Sequence, residues 1–283
     1  MRTPPETNGV DIPPRQLITS LYGLYARADH DWLSVAALVR LMEDLGVDAA
    51  SVRSSVSRLK KRDILHSVRR GGRAGYALAP AALEILREGD VRIFSRPRAT
   101  PADGWLVVVF SVPESEREKR HALRSQLVRL GFGSAAPGVW VAPGTLYDET
   151  ARVLERLGLS TYTDLFRGDY LGAGDVASKM GSWWDLGELE RLYTEFHETY
   201  APVQVRWRKA PPSTEAAFKA YVPMLTAWRR LPYLDPGLPL EYLPRDWKGV
   251  KAGEVFAELD AMLRKPADEH AAGVLHGSLT PSP

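Results

Sequence analysis

The chain has 283 residues and a mass of 31.4 kDa, which at roughly 100–200 residues per domain leaves room for two or three well-cored domains. Apolar residues make up 45% and charged residues 25%, which excludes a disordered chain, and zero cysteines exclude disulfides, thiolate metal sites and cysteine nucleophiles. No window reaches the length of a membrane span, Met1–Pro14 has no apolar signal core, and a cytoplasmic location is expected.

The net charge of +2 conceals a segregation: 16 basic against 11 acidic residues in the first hundred, 21 against 24 thereafter. Between Arg53 and Arg73 eight basic residues face a single acid, Asp63. A local field of that sign suits a polyanion.

Ile18, Leu21, Tyr22 and Tyr25 recur at helical spacing and predict a first amphipathic helix over Arg15–Arg27. Ser34 reads as the N-cap of a second, whose stripe is Val35, Leu38, Val39, Met42 and Leu45. Gly46 then ends that helix and Asp48 caps a third, the spacing of a helix-turn-helix. In the third helix Val52, Val56 and Leu59 share one face, while Ser51, Arg53, Ser54, Ser57, Arg58 and Lys61 are assigned to the DNA-facing side. Small side chains permit close approach to a major groove, hydroxyls can bond bases or phosphates, and arginine matches guanine O6 and N7. Taken alone, the same face reads as a solvated basic surface.

Ile64–Arg70 alternates like a strand, Gly71-Gly72 signals a hairpin, and Arg73–Ala79 returns. Arg69, Arg70 and Arg73 cluster at its tip, within expected reach of backbone phosphates. With a further helix to about Ser95, residues 15–95 predict a winged helix-turn-helix that binds double-stranded DNA. Residues 96–104 read as a linker.

From Trp105 the apolar segments follow a β-α-β-(β)-α-β order, with one strand left open, and residues 105–172 predict a ferredoxin-like βαββαβ domain within an α+β protein. Gly131-Phe132-Gly133-Ser134-Ala135-Ala136 fits a dinucleotide fingerprint formally, but it follows a helix and precedes Pro137, so the glycines read as turn residues. A small metal-dependent nuclease on such a sheet needs a carboxylate at the end of its first strand, where this chain has Phe110-Ser111-Val112-Pro113. Residues 173–265 predict a helical domain holding 13 of the 26 aromatic residues between Trp183 and Phe256. Such a concentration makes either a large core or a cavity. The candidate effector residues are Trp184, Tyr193, Arg206, Trp228, Arg229, Arg230 and Trp247, with the arginines equally able to pair with local acids. Residues 1–14 and 266–283 are expected to be disordered tails.

Leu130-Gly131-Phe132-Gly133 with Pro137-Gly138-Val139-Trp140, Trp184-Asp185-Leu186, and Asp235-Pro236-Gly237-Leu238-Pro239 followed by Leu243-Pro244-Arg245-Asp246-Trp247 resemble the PaaX family of bacterial transcriptional repressors. The similarity runs from about Leu17 to Leu263. The resemblance implies a winged-helix start, a ferredoxin-like middle used for homodimerisation, and a helical C-terminal part. It further implies repression of phenylacetate genes through a near-palindromic operator and release by phenylacetyl-coenzyme A.

No catalytic residues, metal ligands or cofactor are assigned. The chain lacks a G-x-S-x-G elbow, an H-E-x-x-H helix and a phosphate-binding loop, and its six histidines show no metal spacing. An acyl-thioester hydrolase with an accessory DNA-binding domain, for which His197-Glu198 is the one pair of interest, and a non-specific DNA-binding protein are the alternatives.

Overall fold

A computed structural model describes residues 12–27, 30–95, 98–172 and 175–277. Helix and sheet mix as an α+β protein, and the chain divides into two compact units. The first holds residues up to Val91, Glu198–Trp228 and the chain from Gly253; the second holds Arg92–His197 and Arg229–Ala252.

In the first unit, α1 (Pro14–Leu21) starts on prolines that need no backbone donor, and a π turn, Tyr22–Ala26, extends it. A short strand β1 (Trp32–Ser34) precedes α2 (Val35–Asp44), and the Ser34 hydroxyl accepts from the Ala37 amide at 3.1 Å as the expected cap. Gly46, at φ +79°, makes the left-handed turn into α3 (Ala49–Lys61), capped by Asp48 through the amides of Ala50 and Ser51. Strands β2 (Leu65–Arg70) and β3 (Arg73–Leu78) form the predicted hairpin, Arg70 opposite Arg73, with both turn glycines at positive φ. β1 adds to β3 and makes a three-stranded sheet in the order β1-β3-β2. A strand of three residues between two helices carries too few residues to show a period of two. Gly75 sits under it because a Cβ there would lie 2.4 Å from both the Leu33 carbonyl and the Trp32 ring. The helix α4 (Pro80–Phe94) follows, its residues up to Val91 belonging to this unit.

Two later helices complete this unit's core. Within α9 (Thr214–Trp228), Phe218 meets Tyr25, and the Thr226 hydroxyl meets that of Ser20 at 2.7 Å. Within α11 (Lys248–Leu275), Leu259, Leu263, Ala267 and Ala271 are buried. The expected tail from residue 266 is therefore corrected as far as the described residues reach, and residues 278–283 lie outside them. Segments remote in sequence share one apolar core, and Pro266 lies inside a helix that continues for nine more residues to Leu275. Of the expected N-terminal tail, residues 1–11 lie outside the described residues, and Pro14 is already helical.

In the second unit, β4 (Trp105–Phe110), α5 (Arg117–Leu130), β5 (Gly133–Ala136), β6 (Val139–Pro143), α6 (Tyr147–Arg156) and β7 (Thr163–Gly168) follow in sequence, and the antiparallel sheet has the order β5-β6-β4-β7. Leu106, Val108, Trp140 and Ala142 point to the helices with Leu127, Leu130 and Val153. Arg92, 4% exposed, reaches the last carbonyls of α5 and pairs with Glu149 at 2.8 Å. Helix α7 (Val176–Trp183) and the start of α8 (Leu186–Lys209) belong here too, with the short helix α10 (Leu231–Leu234). In the expected linker, Pro101–Asp103 form a 3-10 turn capped by Thr100.

Three of the sequence's most distinctive segments meet in one joint of this unit. Gly131 takes φ +89° at the end of α5, and its would-be Cβ lies 3.1 Å from Cα of Pro236. Trp184 donates its indole N–H to the Gly131 carbonyl at 2.9 Å and covers Gly133 so closely that a Cβ would lie 2.7 Å from the ring. Asp235 accepts from the Gly237 amide (2.7 Å), the Tyr193 hydroxyl (2.8 Å) and Arg98 (2.9 Å). The Asp-Pro-Gly turn thus holds the chain leaving the linker, as the Ala99 amide donates to the Gly237 carbonyl.

Candidate nucleic-acid interface

The geometry of α3 follows from its apolar stripe. Val52, Ser55, Val56 and Leu59 are buried, which turns Arg53, Ser54, Ser57, Arg58 and Lys61 out to solvent. Ser51 differs: it is half-buried and its hydroxyl donates to the Asp48 carboxylate at 2.7 Å, so it works in the cap. Those hydrogen bonds to Ser51 hold the Asp48 carboxyl below the usual carboxylate range.

The hairpin is tied to this helix. Lys60 donates to the Ser67 hydroxyl at 2.8 Å and lies over the Tyr76 ring, so the end of α3 and strand β2 move together. Arg70 donates to the His30 carbonyl at 2.9 Å and lies over Trp32, whose indole N–H reaches the Val68 carbonyl. Arg69 bends over the turn to the Gly72 carbonyl at 3.0 Å, and Arg73 opposite Arg70 is exposed. The backbone bonds of Arg69 and Arg70 fix where those two guanidinium groups sit. Sequence reasoning assigned no role to Lys60, Trp32 or His30, because their partners are brought near only by the sheet.

The expected effector residues do not come together in one unit. Arg206 and Trp228 lie in the first; Trp184, Tyr193, Arg229, Arg230 and Trp247 lie in the second. The aromatic ones serve packing. Trp228 stacks on Phe256 at 4.4 Å, and Tyr193 meets Trp247 edge-on at 6.0 Å. Arg206 lies over the neighbouring Trp207, Arg230 is exposed, and burial holds the Arg229 guanidinium below its ordinary value. Trp228 and Phe256 pack within the first unit, and Tyr193 and Trp247 within the second. Among the described residues no three histidines or carboxylates form a metal-holding group, and no helix is long and apolar enough to cross a membrane.

An exposed basic helix face beside a basic, anchored hairpin is a surface whose charge suits a polyanion. Residues 13–82 match the family model of the PaaX-like protein, 98–180 that of the PaaX protein central Cas2-like domain, and 184–273 that of the PaaX-like protein C-terminal domain. Over 255 residues, 88% of this chain and 79% of the other, the sequence is 26% identical to the transcriptional repressor PaaX of Escherichia coli. The solved structure of the uncharacterized protein Rv0674 from Mycobacterium tuberculosis is similar in fold, with a TM-score of 0.52 at 21% identity over 89% of this chain and 96% of that one. The chain belongs to the PaaX-like family.

Proposed function

We propose that the chain is a sequence-specific repressor that binds a near-palindromic DNA operator through a winged helix-turn-helix and controls genes for breakdown of phenylacetate or a related aromatic acid in the cytoplasm. The observation that carries this reading is the outward basic face of α3 next to Arg69, Arg70 and Arg73. In this reading α3 enters the major groove, Arg53 and Arg58 meet base edges, and the hairpin arginines meet phosphates. Two protomers place their α3 helices about 34–36 Å apart, one turn of DNA.

The homodimer is supported by the sheet of the second unit, read as a ferredoxin-like domain. One face carries the core; on the other, Val109 and Phe166 are exposed, Phe166 at 57%, with Val107 and Val139 half-buried beside them. An apolar strip of that kind suits a second copy of the same strip across a two-fold axis. Phe166→Asp is expected to shift the protein to monomer in analytical ultracentrifugation, and an unchanged dimer would remove this face from the interface.

Release is proposed to follow binding of an aryl-acyl coenzyme A to the protein. A ligand shifts operator affinity only by its difference in affinity for the bound and released forms, ordinarily 1–3 kcal/mol or about 5–150-fold. The test is gel retardation of DNA from upstream of the chain's own gene at about 150 mM salt, against bulk competitor DNA, with and without phenylacetyl-coenzyme A. Specific retention that the thioester abolishes is the expected result. Retention lost equally to bulk DNA would overturn sequence specificity, and retention indifferent to the thioester would overturn the effector.

A further inference from the structure

A cavity of about 540 Å³ opens in the second unit between the end of β4, helix α5 and the β5–β6 hairpin, lined by Phe110, Val112, Arg120, Arg124, Ser134 and Trp140 among others. Its size falls within the range of small-molecule sites, and none of the residues expected to hold an effector lines it. The walls and the rim differ in chemistry. Phe110, Val112, Pro137 and Trp140 give flat apolar surface, and Ser111 and Ser134 bring hydroxyl groups into the lining.

Two guanidinium groups supply the charge. Arg120 and Arg124 are one turn apart on α5 and so lie on the same side of it. Arg120 donates to the Val112 carbonyl at 2.8 Å, which fixes its stem, and to Glu114 at 2.9 Å. That pair is exposed at both ends and is a weak one. Arg124 is exposed and makes no hydrogen bond or ion pair among the described residues. The hairpin is irregular where it borders the cavity: a bulge between Ser134 and Ala136 leaves Ala135 opposite no residue of β6. An apolar slot with two arginines on one side matches a ring with a phosphate attached, since guanidinium forks recognise phosphate oxygens in pairs.

We infer that this cavity is a binding site for a phosphorylated ligand of nucleotide size, its ring against Trp140, Phe110 and Pro137 and its phosphate on Arg120 and Arg124. The cavity is read from the second unit alone, and where its ligand is a coenzyme thioester the inference rests on the effector reading proposed above. Free nucleotides and coenzyme A offer the same chemistry, so the full-length protein is titrated calorimetrically with ADP and, separately, with coenzyme A. Binding of both assigns the site to a nucleotide moiety as such; binding of coenzyme A alone assigns it to a coenzyme thioester. Arg124→Glu, at a solvent-exposed position, is expected to weaken either ligand at least tenfold while melting temperature and operator retardation stay as in the parent. Absence of heat with both probes, or affinity that Arg124→Glu leaves unchanged, overturns the site. Operator binding measured on the same samples keeps that failure distinct from failure of the repressor reading.

Discussion

Arg58 and Arg73 are both exposed cations, and they differ in what they are placed to touch. Arg58 stands on the outward face of α3, where a fork can read a base. Arg58→Ala is expected to cost about 1–3 kcal/mol on the preferred site and to relax selection at one base position, measured by binding to a panel of operator variants. Loss that is equal on every sequence would mean a phosphate contact instead. Arg73 lies at the hairpin tip and is proposed to meet phosphate; Arg73→Ala is expected to weaken all sequences alike and to reduce the salt slope by about one. Arg70 combines two roles. Its charge adds to the tip, and its bond to the His30 carbonyl anchors the hairpin, so its removal is expected to lower thermal stability as well as affinity. The cap at Asp48 belongs to the same scale. Its carboxyl is held low, so the stabilisation is present above the unfolded value and is lost as pH falls through the folded one.

Between elements, the contact of most consequence joins α11 to α2 within the first unit. His270 on α11 and Asp44 at the end of α2 meet at 2.9 Å and are 6% and 5% exposed. Arg40 approaches the other carboxylate oxygen at 3.3 Å, and Phe218 of α9 lies 5.0 Å from the imidazole. His270→Ala leaves a buried carboxylate oxygen short of a partner, a loss of about 1–3 kcal/mol. A fall in melting temperature of the full chain checks it, and an unchanged melt would mean that water replaces the imidazole. This pair also explains why the helix beyond Pro266 is ordered: it carries part of the first unit's core. Gly75 gives a second case. Gly75→Ala drives a methyl into Trp32 and the Leu33 carbonyl and is expected to detach β1 from β3, read as loss of amide-exchange protection in both strands. Neither relation is visible along the chain, because His270 and Asp44 are separated by 226 positions and the strand at Trp32 is three residues long.

Across the whole molecule, buried phenols set the alkaline limit. Tyr22, Tyr25, Tyr200 and Tyr221 all lie in the first unit, and burial raises each above its ordinary value. The folded form therefore holds these protons more tightly than the unfolded chain. Stability is complete below pH ~10 and falls as pH rises beyond it, since only the unfolded chain can release them. Absorbance at 295 nm and circular dichroism followed together from pH 9 to 12 are expected to change in one step for these four groups. Ionisation of all tyrosines near pH 10 with the dichroism intact would contradict it.

Local chemistry was enough for α2, α3, the β2–β3 hairpin and the outward basic face of α3. Apolar spacing of 3.6 located α2 and α3, Ser34 and Asp48 marked their starts, Gly46 and Gly71-Gly72 marked the turns, and the same periodicity forces Arg53 and Arg58 outward once Val52 and Val56 turn in. These are consequences of neighbours within a few positions, so the chain alone determines them. The grouping of helices into units, the packing role of Trp184, Tyr193, Trp228 and Trp247, the joint made by Gly131, Trp184 and Asp235, and the cavity beside Arg120 and Arg124 were decided only by tertiary structure. Each depends on surfaces from distant segments meeting. An aromatic residue looks the same in sequence whether another ring covers it or open space lies beside it.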